Sequence, residues 1–107
     1  RIPDRQFLER LVSASQRVVV AVSQDQVVGF ARAITDGLSN GYLSMVVVAA
    51  EWRGKGIGTS LVEEIVSDDE GITWMLRASR SQAQAFFSKL GFTPSGDAME
   101  RARKRIG

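Results

Sequence analysis

The segment from Tyr42 to Val66 constrains the fold more than any other part of the chain. It opens with an apolar run, Tyr42 to Ala49, which does not alternate with polar residues, as is typical of a strand covered on both faces. A glycine-rich turn follows, from Arg53 to Gly58. Apolar residues then recur at helical spacing from Thr59 to Ser67. A buried strand, a glycine turn and a helix in this order predict the first half of a β-α-β unit.

The remaining elements follow from shorter patterns. Pro3 to Ser15 carries four apolar residues on one helical face, and two valine-rich runs, Arg17–Val22 and Val27–Ile34, predict a hairpin. After the glycine turn and its helix we expect three further elements, which are a strand at Ile72–Leu76, a helix at Gln82–Leu90 and a last strand at Asp97–Arg103. An antiparallel hairpin and a right-handed parallel crossover together predict an α/β chain, with a mixed sheet and helices packed on it.

Composition excludes several kinds of chemistry. The 107 residues fit a single domain, and they include neither cysteine nor histidine. Thiolate nucleophiles, Ser-His-Asp triads and zinc sites of the HExxH type are therefore excluded. The net charge of +2 is too small to indicate a nucleic-acid partner. No apolar run is long enough to span a membrane and no signal peptide is evident, so we expect a cytoplasmic protein.

The glycine turn has the features of a phosphate site. Glycines let the backbone approach a ligand closely, and the following helix directs its free N–H groups and positive dipole end at the turn. Arg53 and Lys55 add positive charge. The Walker motif does not fit, since Lys55 precedes the last glycine. The Rossmann motif does not fit either, because Gly54, Gly56 and Gly58 are spaced G-x-G-x-G.

A third pattern fits the turn. Arg-x-x-Gly-x-Gly at Arg53, Gly56 and Gly58 resembles the acetyl-CoA motif of the GCN5-related N-acetyltransferase (GNAT) superfamily. A second block, AQAFFSKLGFTPSG, is similar to the family's other signature, a helix that ends in a Lys-x-Gly-Phe type sequence. The resemblance covers the chain from Arg17 onward. It implies one GNAT-like domain over 1–107 without the family's N-terminal strand, and a mostly antiparallel twisted sheet with a splayed parallel central strand pair.

The resemblance also implies a cosubstrate and its binding residues. Acetyl-CoA would bind without a metal, its pantetheine arm along the central strand and its pyrophosphate in the turn. The implied binding residues are Val46, Val47, Val48, Arg53, Gly54, Lys55, Gly56, Ile57, Gly58, Thr59, Arg80 and Phe87. The implied reaction is N-acetyl transfer by direct attack of a primary amine in a ternary complex. A backbone N–H near Val47 would stabilise the oxyanion.

One departure from the family concerns the proton that the leaving thiolate needs. Many members carry a tyrosine at the position of Phe87, and phenylalanine cannot donate a proton. A frequent asparagine is replaced by Arg80, which would contact the cofactor or be solvated. Tyr42, the only tyrosine, is the candidate for the proton pathway, with a packing role as the alternative. Glu51, Asp36 and Ser44 are weaker candidates.

Two functions therefore stay open. The first is an N-acetyltransferase acting on a small molecule, a peptide N-terminus or a lysine. The second is a non-catalytic acetyl-CoA or CoA sensor, favoured by Phe87. For both we expect no nucleic-acid or membrane partner, and a monomer or a homodimer. The acceptor amine is not specified by any residue pattern.

Overall fold

The computed structural model describes residues 5–67 and 69–104. These form two compact units that divide between Arg77 and Ala78. The first unit contains α1 (Arg5–Ala14), β1 (Arg17–Ser23), β2 (Gln26–Thr35), β3 (Asn40–Val48), a 3₁₀ turn (Ala50–Trp52), α2 (Ile57–Val66) and β4 (Thr73–Met75). The second unit contains α3 (Ser81–Ser88). Every predicted helix is present, although Pro3 lies outside the described residues.

The predicted hairpin is confirmed as β1 and β2. These strands pair antiparallel from Arg17 with Ala33 to Ser23 with Gln26. The two residues between them, Gln24 and Asp25, have φ of 51° and 65°. Positive φ at both positions belongs to the tight turn whose twist matches that of the flanking strands. The polar turn in the sequence therefore specifies the register of the hairpin.

The sheet has the order β1-β2-β3-β4, and its last pair is parallel. β3 runs antiparallel to β2 along its length, with a bulge that leaves Ser44 as the extra residue. Its pairing with β4 covers three residue pairs and ends where Tyr42 meets Met75. β3 then continues to Val48, so the predicted splayed strand pair is confirmed.

Helix α2 covers one face of the sheet and forms the core with it. It packs against β1, β2 and β3, where small side chains on β2 allow it to lie close. Ala31, Ala33 and Ile65 are completely buried. The rest of the apolar core comprises Val28, Leu43, Leu61, Val62 and Ile72. This packing fixes the start of α2, and with it the glycine turn, beside the end of β3.

The second unit is built around α3 and the glycine after it. Gly91 has a φ of 94°, and the N–H of Phe92 donates to the carbonyl of Phe87 at 3.1 Å. The ring of Phe87 lies edge-on to those of Phe86 and Phe92, at centroid distances of 4.9 and 5.7 Å. Gly91 therefore ends the helix as its sequence position predicts.

The last strand predicted from the sequence, Asp97–Arg103, was wrong. No strand forms within residues 94–104. A strand is stable only when its backbone hydrogen-bonds to a neighbouring strand, and this segment pairs with none that the structure describes. The turn residues before this segment suggested a further element, and they do not supply a pairing partner.

The turn between β2 and β3 is held by one carboxylate. Asp36 accepts hydrogen bonds from the backbone N–H groups of Leu38, Ser39 and Asn40, and from the Ser39 hydroxyl, at 2.7 to 3.1 Å. The backbone donors of Ser39 and Leu38 contribute most to holding the pKa of the Asp36 carboxyl well below its ordinary value of 3.8. A carboxylate that stays ionised and fully engaged is a poor general base, so Asp36 is a turn residue.

We predict that Asp36→Asn lowers thermal stability at neutral pH, and that its effect shrinks in acid. The folded chain binds this proton more weakly than the unfolded chain, so the stabilisation is complete above about pH 4 and is lost as the pH falls further. Melting temperatures of both proteins between pH 2 and pH 7 measure the effect. A constant difference across that range would contradict the assignment.

Candidate coenzyme site and active site

The open edge of β3 is the first component of the candidate site. The N–H of Ala49 donates to the carbonyl of Val28 on β2 at 2.9 Å, so the carbonyl of Val48, in the same peptide unit, points away from β2. Backbone groups of alternate residues point to the same edge of a strand, so the N–H and C=O of Val46 and Val48 point to the edge of β3 on the β4 side, beyond the end of β4. No strand among the described residues pairs with this edge beyond Tyr42.

The same alternation constrains Val47. Val47 pairs with Phe30, and its N–H and C=O face β2. Its side chain lies on the sheet face opposite α2 and is 47% exposed. The backbone donors of the open edge are therefore those of Val46 and Val48, on either side of Val47. The oxyanion role predicted for a backbone N–H near Val47 stays a prediction.

The glycine turn is the second component. Gly54 and Gly56 have φ of 78° and 85°, in the left-handed region where glycine is favoured. A Cβ added at either position would meet nothing within 4 Å. The turn therefore exposes its backbone to open space, as a loop that receives a ligand must.

The start of α2 is the third component. Gly56 is its N-cap and offers no side chain, and the first backbone bond of the helix runs from the Ser60 N–H to the Gly56 carbonyl. The N–H groups of Ile57, Gly58 and Thr59 point toward the turn without an acceptor in the described part of the chain. The first turn of α2 also lacks an acidic residue. Such an end attracts an anion.

Arg53 and Lys55 flank this helix end, and both are exposed. The Nε of Arg53 donates to the carbonyl of Val48 at 3.1 Å, which fixes the arginine at the point where the open edge meets the turn. Its Nη groups make no bond to the rest of the described chain. Ile57 differs, because its side chain packs onto the sheet at Gly29 and its N–H belongs to the first turn of α2.

Tyr42 lies where β3 and β4 separate. It is opposite Ile34 on β2 and Met75 on β4, and it is half-buried on the face away from α2. Its hydroxyl has no hydrogen-bond partner in the described ranges. The predicted proton-pathway residue therefore lies beside the open edge with its hydroxyl unengaged.

Arg80 and Phe87 belong to the second unit. Arg80 is exposed and is the residue before α3, and Phe87 packs against two other phenylalanines. Their predicted contacts with the cofactor remain predictions.

Sequence reasoning missed Arg32. This arginine lies between Ala31 and Ala33 on β2, and it is 7% exposed. An arginine inside an otherwise apolar central strand was the available signal, because a buried charge needs partners.

The described residues hold no cluster of acidic side chains able to bind a metal ion. Within the same ranges, no helix is long and apolar enough to cross a membrane.

Comparison with protein families decides the assignment. The acetyltransferase (GNAT) domain family matches residues 14–94. This chain belongs to the GNAT family of acetyltransferases. The match includes the hairpin, the open strand, the glycine turn and α3, so the GNAT resemblance seen in the sequence is confirmed.

Two bacterial relatives extend this result. The peptidyl-lysine N-acetyltransferase YjaB of Salmonella typhimurium is 31% identical over 96 residues, which cover 86% of this chain and 63% of the relative. The PanD regulatory factor of the same organism is 30% identical over 95 residues, which cover 84% of this chain and 74% of the relative. This GNAT chain therefore spans less than two thirds of the length of the first relative.

Solved structures share the fold. A GNAT-family acetyltransferase from Streptococcus pneumoniae superposes with a TM-score of 0.83 at 23% identity, over 97% of this chain and 82% of that protein. Naa50 of Arabidopsis thaliana, solved with the bisubstrate analogue CoA-Ac-MVNAL, gives a TM-score of 0.70 at 20% identity, over 89% of this chain and 69% of that protein. At these identities the likeness establishes the GNAT fold.

Proposed function

We propose that this GNAT chain transfers an acetyl group from acetyl-CoA to a primary amine. The observation that carries the proposal is the continuity of the open β3 edge with an uncapped helix end, joined by Arg53 at the Val48 carbonyl. An extended arm with amide groups fits the edge, and a pyrophosphate fits the turn. CoA contains both, and Naa50 with its bound CoA analogue supports the assignment.

The residues fit this cosubstrate in three ways. The N–H and C=O groups of Val46 and Val48 would bind the amides of the pantetheine arm in the manner of an added strand. Gly54 and Gly56 leave room for the pyrophosphate. The free N–H groups of the first turn of α2, with Arg53 and Lys55, would offset its charge.

The chemistry requires little of the protein's side chains. The bound thioester supplies the activated acetyl group, and no enzyme nucleophile is needed, which agrees with the absence of cysteine and histidine. The open edge would orient the thioester carbonyl and donate to it from the Val46 or Val48 N–H. Holding both reactants together would supply much of the rate.

Thermal shift with acetyl-CoA tests the proposal. Saturating cosubstrate at about 100 times its Kd should stabilise the folded chain by about 2.7 kcal/mol and raise its melting temperature by about 10–20 °C. Release of free CoA thiol in the presence of an amine panel then measures transfer. Absence of any stabilisation would reject coenzyme binding altogether.

A non-catalytic coenzyme sensor is the second candidate. Phe87 cannot supply the proton of the tyrosine that many GNAT members carry there, and one relative at 30% identity is named as a regulatory factor rather than an enzyme. Stabilisation by acetyl-CoA without thiol release across the amine panel would favour this candidate.

We predict that Tyr42→Phe lowers kcat by about 100-fold and leaves the affinity for acetyl-CoA unchanged. The change removes one hydroxyl, which has no structural hydrogen bond to lose within the described chain. Steady-state kinetics from pH 6 to pH 10 measure kcat, and calorimetry with CoA is the control. Unaltered turnover across this range would remove Tyr42 from the proton pathway.

A further inference from the structure

Arg32 is a buried cation that the coenzyme site does not use. It lies on β2 with 7% of its surface exposed, on the sheet face opposite α2. A buried charge is costly unless it is paired. Among the described residues, the other partly buried arginine has such a partner, since Arg17 donates to the carboxylate of Asp69 at 2.6 Å. Arg32 has no carboxylate partner among the residues that the structure describes.

The hydrogen bonds of Arg32 leave most of its donors free. Nη1 donates to the Ser15 hydroxyl at 2.7 Å, and Nη2 donates to the Ser44 hydroxyl at 3.0 Å. Nε is buried and has no partner. Two of the five N–H donors of a guanidinium are thus used, both on neutral oxygens. The Arg32 guanidinium therefore retains enough free N–H donors to bind a carboxylate.

The position of Arg32 relates it to the candidate active site. Its hydrogen-bond partner Ser44 is the bulge residue of β3, two positions beyond Tyr42, where pairing with β4 ends. Tyr42 pairs with Ile34, which is two residues along β2 from Arg32 and therefore on the same face of the sheet. The guanidinium thus lies over β3, next to the beginning of its open edge.

We propose that Arg32 binds the carboxylate of the acceptor, and that the acceptor is a small amino acid. This inference rests on the proposed function. A carboxylate matches the planar donor fork of arginine and would neutralise its charge. Neighbouring strands are about 5 Å apart, so the acceptor must span about this distance between the Arg32 guanidinium and the open edge of β3. An acceptor bound by its carboxylate at Arg32 therefore places its amine at the open edge only if one to three carbons separate its carboxylate from its amine. The amine of a peptide N-terminus or of a lysine side chain in a protein has no carboxylate at that distance.

Paired acceptors test the proposal. L-Alanine and L-alaninamide differ only in the carboxylate, and the amide has the less basic amine, which alone would favour the amide as substrate. We expect kcat/KM to be about 10- to 100-fold higher for the acid, as is typical of hydrogen bonds to charged groups. A set of amino acids with one to three carbons between amine and carboxylate covers the proposed class.

Variants of Arg32 locate the effect. Arg32→Met should reduce the preference for the acid to within about threefold, mainly through KM, and Arg32→Lys should restore part of it. Arg5→Met removes one positive charge from an exposed position and is the matched control. A purely structural role would lower melting temperature or activity toward both acceptors equally, and that result would overturn the proposal.

A binding measurement separates failure of this proposal from failure of the proposed function. Calorimetry with the acid and the amide, with CoA present and absent, needs no turnover. If the wild type binds the acid and the Arg32→Met variant does not, the carboxylate site is supported even when the chain transfers no acetyl group. Equal binding of acid and amide, or none of either, would overturn it. Failure of CoA itself to bind would instead reject the proposed function.

Discussion

Gly56→Asp should weaken acetyl-CoA binding by about 100-fold while the chain remains folded. Gly56 is the N-cap of α2 with a φ of 85°, and a side chain there would enter open space. A carboxylate about 5 Å from a phosphate costs about 3 kcal/mol at the effective dielectric of a protein surface, which corresponds to this loss. Left-handed strain of about 1 kcal/mol is partly offset by the negative charge at the positive end of the helix.

Two variants isolate the charge. Gly56→Asn has the same shape and backbone strain without the carboxylate, so it should bind CoA within about tenfold of the wild type. Gly37→Asp makes the same change at another left-handed glycine, with a φ of 73° and nothing within 4 Å of its Cβ. It lies in the β2–β3 turn and should leave affinity unchanged. Calorimetry with CoA gives the three values, and equal affinities for the Asp and Asn variants at position 56 would reject the pyrophosphate assignment.

Gly41→Ala should destabilise the chain by about 2–3 kcal/mol, a fall in melting temperature of about 10–20 °C. Gly41 pairs with Trp74 across the parallel strands, and a Cβ there would overlap the indole ring. The ring cannot easily move, because the guanidinium of Arg17 lies over it at 5.4 Å from the centroid. The new methyl group must therefore displace Trp74 or separate β3 from β4.

A double-mutant cycle tests this steric cause. In a Trp74→Leu background, Gly41→Ala should lower the free energy of unfolding by less than about 0.5 kcal/mol. The coupling energy between positions 41 and 74 is then about 2 kcal/mol. Gly71→Ala is the matched control, because the nearest atom to its added Cβ is the Leu38 carbonyl oxygen at 3.7 Å. Its stability should stay within about 0.5 kcal/mol of wild type in denaturant melts. Additive costs in the cycle would show that Gly41 is needed for another reason.

Local patterns predicted most of the fold. The hairpin was readable because two valine runs flank a polar turn, and α2 because its apolar stripe follows three glycines. The strand expected at Asp97–Arg103 could not be predicted correctly, since a strand depends on a distant partner that no local pattern reveals. For the same reason the length of β4 could not be predicted: the structure shows three residues where the sequence predicted five.

Some features of the candidate site were predictable from local sequence, and others depended on the structure. Glycine spacing and two cations predicted a phosphate turn from sequence alone, because that chemistry uses adjacent residues. Strand register decided which backbone groups of the three valines are free, and it leaves the open edge to Val46 and Val48. The oxyanion role predicted near Val47 stays a prediction. Arg32 became significant only once its buried Nε and its two hydroxyl partners were known, since Ser15, Arg32 and Ser44 are far apart in sequence.

The open edge of β3 has a consequence for the behaviour of the chain without ligand. Met45-Val46-Val47-Val48 is an uncharged run of high β-propensity, and no strand in the described part of the chain pairs with its outer edge. Such an edge is the template on which protein chains aggregate. A coenzyme lying along it would satisfy the same groups that another chain would otherwise use. Under the proposed function, bound coenzyme would therefore also protect the chain from aggregation at this one strand.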